Sequence, residues 1–174
     1  MPYLPSRLVQ RAWSTKPRCI VGFQAVPLTD PPESLNAFDE LGYFVIACTC
    51  GGALFGVLGF PQAESLFACP LSLECISCRK LTEIFDIKTH GYDAELGNGC
   101  YSIRGEGRAT AFRCSNCNTE ALTVWAGFSY QIEPIEDLPA EAQDRVEDLF
   151  DWFYLTATCS KCGARHDVSD YECA

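Results

Sequence analysis

The sequence predicts an α+β fold that is mostly β, with two antiparallel β units built around paired cysteine turns and one amphipathic helix inserted into the second. Three observations carry this prediction. Short runs of aromatic and β-branched residues end at cysteine turns, glycines and polar residues separate the runs, and a single stretch has sustained helical periodicity.

Residues 1–40 hold six of the ten prolines, Pro31-Pro32 among them, and read as an extended arm ending in a turn. Arg7, Arg11, Lys16 and Arg18 occur there with no acid before Asp30, a composition shared with organelle-targeting peptides, although a loosely held tail explains it more simply. An apolar run at 43–47 leads into Cys48-Thr49-Cys50-Gly51-Gly52, and 53–60 resumes as a strand, which predicts a hairpin with cysteines at its turn. A third strand at 65–71 runs into Cys75-Ile76-Ser77-Cys78, and 81–87 returns as a fourth. The glycines at 91, 97 and 99 mark 88–99 as a loop.

Short strands at 100–103 and 109–112 flank Gly105-Glu106-Gly107, and the second feeds Cys114-Ser115-Asn116-Cys117. Residues 122–130 form an aromatic, branched strand. A helix is predicted over 138–153, because Pro139 suits a first helical position and Leu138, Ala142, Val146, Leu149, Phe150 and Phe153 share one face. A strand at 154–158 then enters Cys159-Ser160-Lys161-Cys162-Gly163. The units are therefore an arm at 1–40, a first cysteine unit at 41–99 and a second at 100–174. The hairpin-plus-cysteine halves at 43–87 and 109–170 read as a diverged duplication.

Twelve cysteines in 174 residues imply either disulfides or metal-bound thiolates. No secretory signal pattern and no run of about 18 apolar residues is present, so a reducing cytoplasm without membrane insertion is expected. Spacing favours metal. Two residues between cysteines let both sulfurs face one ion, and two such turns complete a tetrahedron. Cys114, Cys117, Cys159 and Cys162 fit this directly, with Gly163 relieving the tight backbone and the intervening strand and helix read as an insertion. In the first unit Cys75 and Cys78 make a regular turn, while Cys48 and Cys50 have one residue between them and need Gly51 and Gly52 for the tighter geometry. Cys69 competes as a replacement for Cys48 or Cys50.

These two constellations resemble the zinc-ribbon class, the first as a variant. The resemblance implies two structural zinc ions and a role in macromolecular contacts, a role too general to name one function. Dithiol redox chemistry is disfavoured, since none of the Cys-x-x-Cys turns opens a helical pattern. A nucleobase deaminase is excluded by order, because His90 follows Cys75 and Cys78 instead of preceding them.

The formal net charge is −10, and a dication with four thiolates adds −2 at each of two sites, giving −14. That balance argues against nonspecific phosphate binding. The leading expectation is a non-enzymatic binding protein, of adaptor or toxin-neutralising type, that docks a basic protein partner through an acidic surface. The acidic run at 133–151 is the candidate face, with Phe128, Tyr130, Trp152 and Tyr154 as candidate anchors, although a solvated helix surface and core packing are the plainer readings. A second expectation is nucleic-acid association through Arg104, Arg108 and Arg113. A third is an enzyme using His90 and Asp93, with Asp86, Tyr92 and Cys100 nearby, although a histidine that ties down a loop is the plainer reading. Cys19, Cys69, Cys100 and Cys173 read as buried thiols, and His166, four residues after Cys162, as an exposed side chain more readily than as a substitute ligand.

Overall fold

The computed structural model describes residues 6–28, 41–62, 66–97, 104–131 and 135–173. Helix α1 (Arg7–Ser14) and a 3-10 turn (Arg18–Ile20) lead into β1 (Gln24–Pro27) and β2 (Leu41–Ala47). Strands β3 (Phe55–Pro61), β4 (Phe67–Cys75) and β5 (Leu81–Phe85) follow. After a one-turn helix at Tyr92–Glu95 come β6 (Thr110–Ala111) and β7 (Leu122–Ser129). A second helical turn (Ala140–Gln143) and a 3-10 turn (Val146–Asp148) precede β8 (Trp152–Cys159) and β9 (Arg165–Glu172). The fold is mostly β, a curled antiparallel sheet with few helices. No described helix is long and apolar enough to cross a membrane.

Strand β7 organises the sheet. Along it Val124 lies between Ile46 of β2 and Ala157 of β8, and Leu122 lies between Phe55 of β3 and Cys159. β2 and β3 thus share one edge of β7 while β8 takes the other. The expected hairpin between 43–47 and 53–60 does not form, because β2 gives its edge to β7 while β3 divides its own between β7, at Phe55, and β6, at Leu58 and Gly59. β4 continues from β3, β5 from β4, and β9 from β8.

The strands alternate as a half-buried sheet requires. Phe44, Ile46, Val124, Ala126, Phe128, Phe153, Leu155 and Ala157 face the core and are buried. Phe85 stacks on Phe153 with ring centroids 4.2 Å apart, and Phe128 meets Phe150 edge-on at 4.8 Å. Phe128 and Tyr130 are therefore core residues, the plainer of their two readings, and not surface anchors.

Two sequence expectations are revised by pairing. The predicted helix at 138–153 is reduced to the turns Ala140–Gln143 and Val146–Asp148, and Trp152 already belongs to β8. Its apolar stripe was informative about burial, since Leu138, Val146, Leu149, Phe150 and Phe153 are all buried. The aromatic run Trp152-Phe153-Tyr154 prefers a pleated surface, and cross-strand pairing with β7 overrides the helical period.

The N-terminal segment is also more ordered than an extended arm. Ser6 caps α1 by accepting from the Val9 amide at 3.4 Å, and Val9 and Ala12 are buried. Its basic residues explain why it docks: Arg11 pairs with Glu147 and Arg18 with Glu95, while the Arg18 amide donates to Asp148 Oδ1 at 2.6 Å. The loop reading of 88–99 is likewise adjusted by the Tyr92–Glu95 turn, the strand expected at 100–103 lies outside the described residues, and β9 was not anticipated.

Asp148 is buried and serves both the Arg18 amide and its guanidinium. Asp148→Ala is expected to cost about 1–3 kcal/mol in urea unfolding and to speed tryptic cleavage after Arg18.

Candidate metal centres

All four cysteine turns share one backbone device. In the turns at Cys75, Cys114 and Cys159 the amide four residues on donates to the first cysteine carbonyl: Arg79 at 2.8 Å, Asn118 at 2.8 Å and Gly163 at 3.0 Å. Each first-cysteine amide then donates to the carbonyl five residues on, in Lys80, Thr119 and Ala164. The donating residues all have positive φ: 62° for Arg79, 60° for Asn118 and 74° for Gly163. At Cys48 the loop is one residue shorter, with Gly51 donating to Cys48 at 2.8 Å from a φ of 87°. Gly52 is needed for a different reason, since a Cβ there would lie 2.9 Å from Cys75 Sγ.

Strand register brings the turns together in pairs. Cys75 stands opposite Phe55, five residues after Cys50, and Cys159 stands opposite Leu122, five residues after Cys117. The supporting bonds match as well, with Ile76 N donating to Leu54 O at 2.9 Å and Ser160 N to Ala121 O at 3.1 Å. Because the corresponding residues Phe55 and Leu122 pair antiparallel with each other, the two halves meet about a local two-fold axis.

The result is two groups, Cys48/Cys50/Cys75/Cys78 and Cys114/Cys117/Cys159/Cys162, each with its sulfurs within 4.8 Å of one another. The closest sulfur pairs are 3.6 Å apart in the first group, and 3.5 and 3.4 Å in the second. A tetrahedron with metal–sulfur bonds of about 2.3 Å has sulfur edges of about 3.8 Å. Each group therefore fits one ion. Cys69 stands apart from both groups; it is fully buried, and its carbonyl accepts from Gly105 N at 2.9 Å.

Electrostatics make the same demand. The Cys50 amide, the largest influence on Cys48, helps bring that thiol down to about 6. Desolvation raises Cys159, but the Cys162 and Lys161 amides, with the Cys117 and Cys162 thiols, outweigh it and bring it to about 6. The Gly52 and Ala164 amides favour thiolates at Cys50 and Cys162, yet neighbouring sulfurs push both up to about 12. Four thiolates this close cannot ionise together without a cation among them.

His166, expected to be exposed, stands beside the second centre without belonging to its four-sulfur group. Its Nε2 lies 3.3 Å from Cys114 Sγ, and its ring meets Phe112 edge-on at 5.6 Å, so it is half-buried and not freely exposed. Its position four residues after Cys162 was visible, but only the β8–β9 register turns the ring toward Cys114. Among the remaining cysteines, Cys19, Cys69 and Cys173 are buried, and Cys100 lies outside the described residues.

The Asp86–Asp93 segment is held by structural bonds. Asp86 binds Arg104 through both carboxylate oxygens, at 3.0 and 2.8 Å, and the Asp86 amide donates to His90 Nδ1 at 3.0 Å. Desolvation lowers the His90 pKa. Tyr92 and Asp93 amides donate to Phe150 and Cys173 carbonyls. No protein-family model, curated protein or solved structure matches this chain.

Stripping the protein with a strong chelator is expected to release two ions per chain by mass spectrometry and to remove tertiary near-UV dichroism, while a Cys159→Ser/Cys162→Ser variant should carry one. His166→Phe is expected to leave the ion count unchanged but speed chelator extraction from the second centre about tenfold.

Proposed function

We propose that the chain is a zinc-stabilised, non-enzymatic binding protein that docks a basic protein partner, in an adaptor or toxin-neutralising role. The observation that carries the metal part is the pair of four-sulfur groups, each dimensioned for one ion. Soft thiolates in a tetrahedral set suit zinc, and the 4.8 Å limit on sulfur separation leaves no room for a cluster of several irons. Zinc bound by four thiolates has no open position for substrate, so its contribution is to hold strands in place.

The binding part rests on what remains reactive and on charge. Among the described residues His90 is tied to the Asp86 backbone, Asp86 is occupied by Arg104, and the cysteines outside the centres are buried. This leaves surface recognition as the reading with most support. The charge of −10 selects a cationic partner. The nucleic-acid alternative is weakened by the arginines it requires, since Arg104 is engaged by Asp86 and Arg113 by Glu120 at 2.6 Å.

Affinity capture from lysate with the zinc-loaded chain is expected to retain a basic protein at low salt and to lose it progressively as salt rises. Retention of nucleic acid with a steep salt slope, and no protein, would reject the proposal.

A further inference from the structure

A cleft of about 650 Å³ runs beside β9. One wall is β9 itself, through Arg165, His166, Asp167 and Asp170, and the other is the 110–113 segment; Phe67 and Phe112 lie between them. No β8 residue lines it, so the cleft lies along the edge of β9 away from its hydrogen-bonded neighbour. Among the described residues β9 pairs with β8 alone. An unpaired strand edge flanking an apolar-floored cleft is a template for an added strand.

Charge identifies what would fill it. Arg165 and Arg113 stand near the second metal centre, and Arg113 is already matched by Glu120. Further along, Asp167 and Asp170 are exposed, and the register puts them on the outer sheet face in rows with Trp125 and Tyr154. Trp152 and Tyr154 stack there, with centroids 6.1 Å apart and planes 17° from parallel. Tyr43 lies over Gly127 in the same row; its ring would meet a Cβ at 2.6 Å. The Tyr43 hydroxyl is buried without a hydrogen-bond partner, and Tyr154, Asp167 and Asp170 all act on it electrostatically. Asp170 already accepts from Trp152 Nε1, which leaves its other oxygen and the exposed Asp167 carboxylate to suit a planar cation: guanidinium N–H groups would bond these oxygens while its face stacks on the rings.

We infer that an extended partner segment alternating apolar and arginine side chains adds to the free edge of β9, with apolar groups on Phe67 and Phe112 and arginines against Asp167 and Asp170. Period-two alternation follows from strand geometry, which sends neighbouring side chains to opposite faces. This rests on the basic-partner reading and moves its surface: the 133–151 run, first suspected, spends Glu147 and Asp148 on Arg11 and Arg18.

The test uses the zinc-loaded chain and an acetylated, amidated peptide of three Val-Arg repeats, with a Val-Glu peptide as control. Anisotropy should show binding of the first peptide only, hydrogen exchange should show new protection in β9, and Asp167→Asn/Asp170→Asn should weaken binding about tenfold or more. Thermal melting checks that this variant folds. Glu141→Gln/Asp144→Asn, which removes exposed acids elsewhere, should bind as wild type. Binding without β9 protection, or weakened by Glu141→Gln/Asp144→Asn instead, overturns the inference and leaves the basic-partner reading intact. Failure of the Val-Arg peptide to bind overturns it too, and failure to capture any basic protein from lysate rejects the parent reading.

Discussion

Like-charge crowding of sulfur is the constraint on which the fold depends. The turns aim amide N–H groups at the sulfurs, for example Gly52 N at 3.4 Å from Cys50 Sγ and Lys161 N at 3.3 Å from Cys159 Sγ, which favours thiolates. The same turns place the four sulfurs of each group within 4.8 Å, which opposes four thiolates at once. A dication held among them would resolve the conflict. Because the turns sit at the ends of β2, β4 and β8 and just before β7, whatever closes them also fixes strand register. Cys75 opposite Phe55 and Cys159 opposite Leu122 are then joints between metal chemistry and sheet geometry.

A second network fastens what the metal centres leave loose. Glu95 binds both Arg18 and Arg145, Glu147 binds Arg11, and Asp148 binds Arg18. These pairs join the N-terminal segment, the turn after β5 and the segment before β8, three pieces of chain that contribute little to the sheet. The Tyr130 hydroxyl adds a bond to the Glu147 carbonyl at 2.8 Å. An acidic run that looks in sequence like a solvated face is therefore partly an internal socket for arginines. Exposed ion pairs contribute little individually, but Asp148 and Glu95 are nearly inaccessible, and removing a partner from either leaves a desolvated charge.

The sequence was most legible where covalent spacing fixes geometry. The eight cysteines at 48, 50, 75, 78, 114, 117, 159 and 162 fall into two groups of four because a gap of one or two residues and a following residue able to take positive φ are local properties. Burial was nearly as legible, as Val146, Leu149 and Phe153 illustrate. Pairing was not. That β2 pairs with β7 and not with β3, or that Trp152 enters a strand instead of ending a helix, depends on contacts between residues some eighty or twenty-five positions apart. β9 escaped because His166, Asp167, Ser169 and Asp170 give it little apolar alternation. Its inward residues are satisfied by long-range bonds, as when Ser169 Oγ donates to the Phe67 carbonyl at 2.8 Å. His166 and the Asp167–Asp170 row were hidden with it.

Near-symmetry about the Phe55–Leu122 pair makes the remaining asymmetry informative. In both halves a strand, a second strand, a cysteine turn and a third strand follow one another, so β5 and β9 occupy equivalent places. Their environments differ. The 3-10 turn Arg18–Ile20 packs on β5, and Gly22 approaches Thr82 so closely that a Cβ would lie 3.3 Å from its methyl group. β9 meets β4 instead, where Ser169 Oγ and the Tyr171 hydroxyl bond the Phe67 carbonyl, and its edge borders the cleft. It is also longer, spanning Arg165–Glu172 against Leu81–Phe85, and it carries three exposed acids, Asp167, Asp170 and Glu172, where β5 has Glu83 alone. A long bare edge ordinarily invites indiscriminate pairing, and its aspartates restrain that tendency by repelling acidic or identical strands. The charge that protects this edge from its own kind is also the charge that would select a basic one.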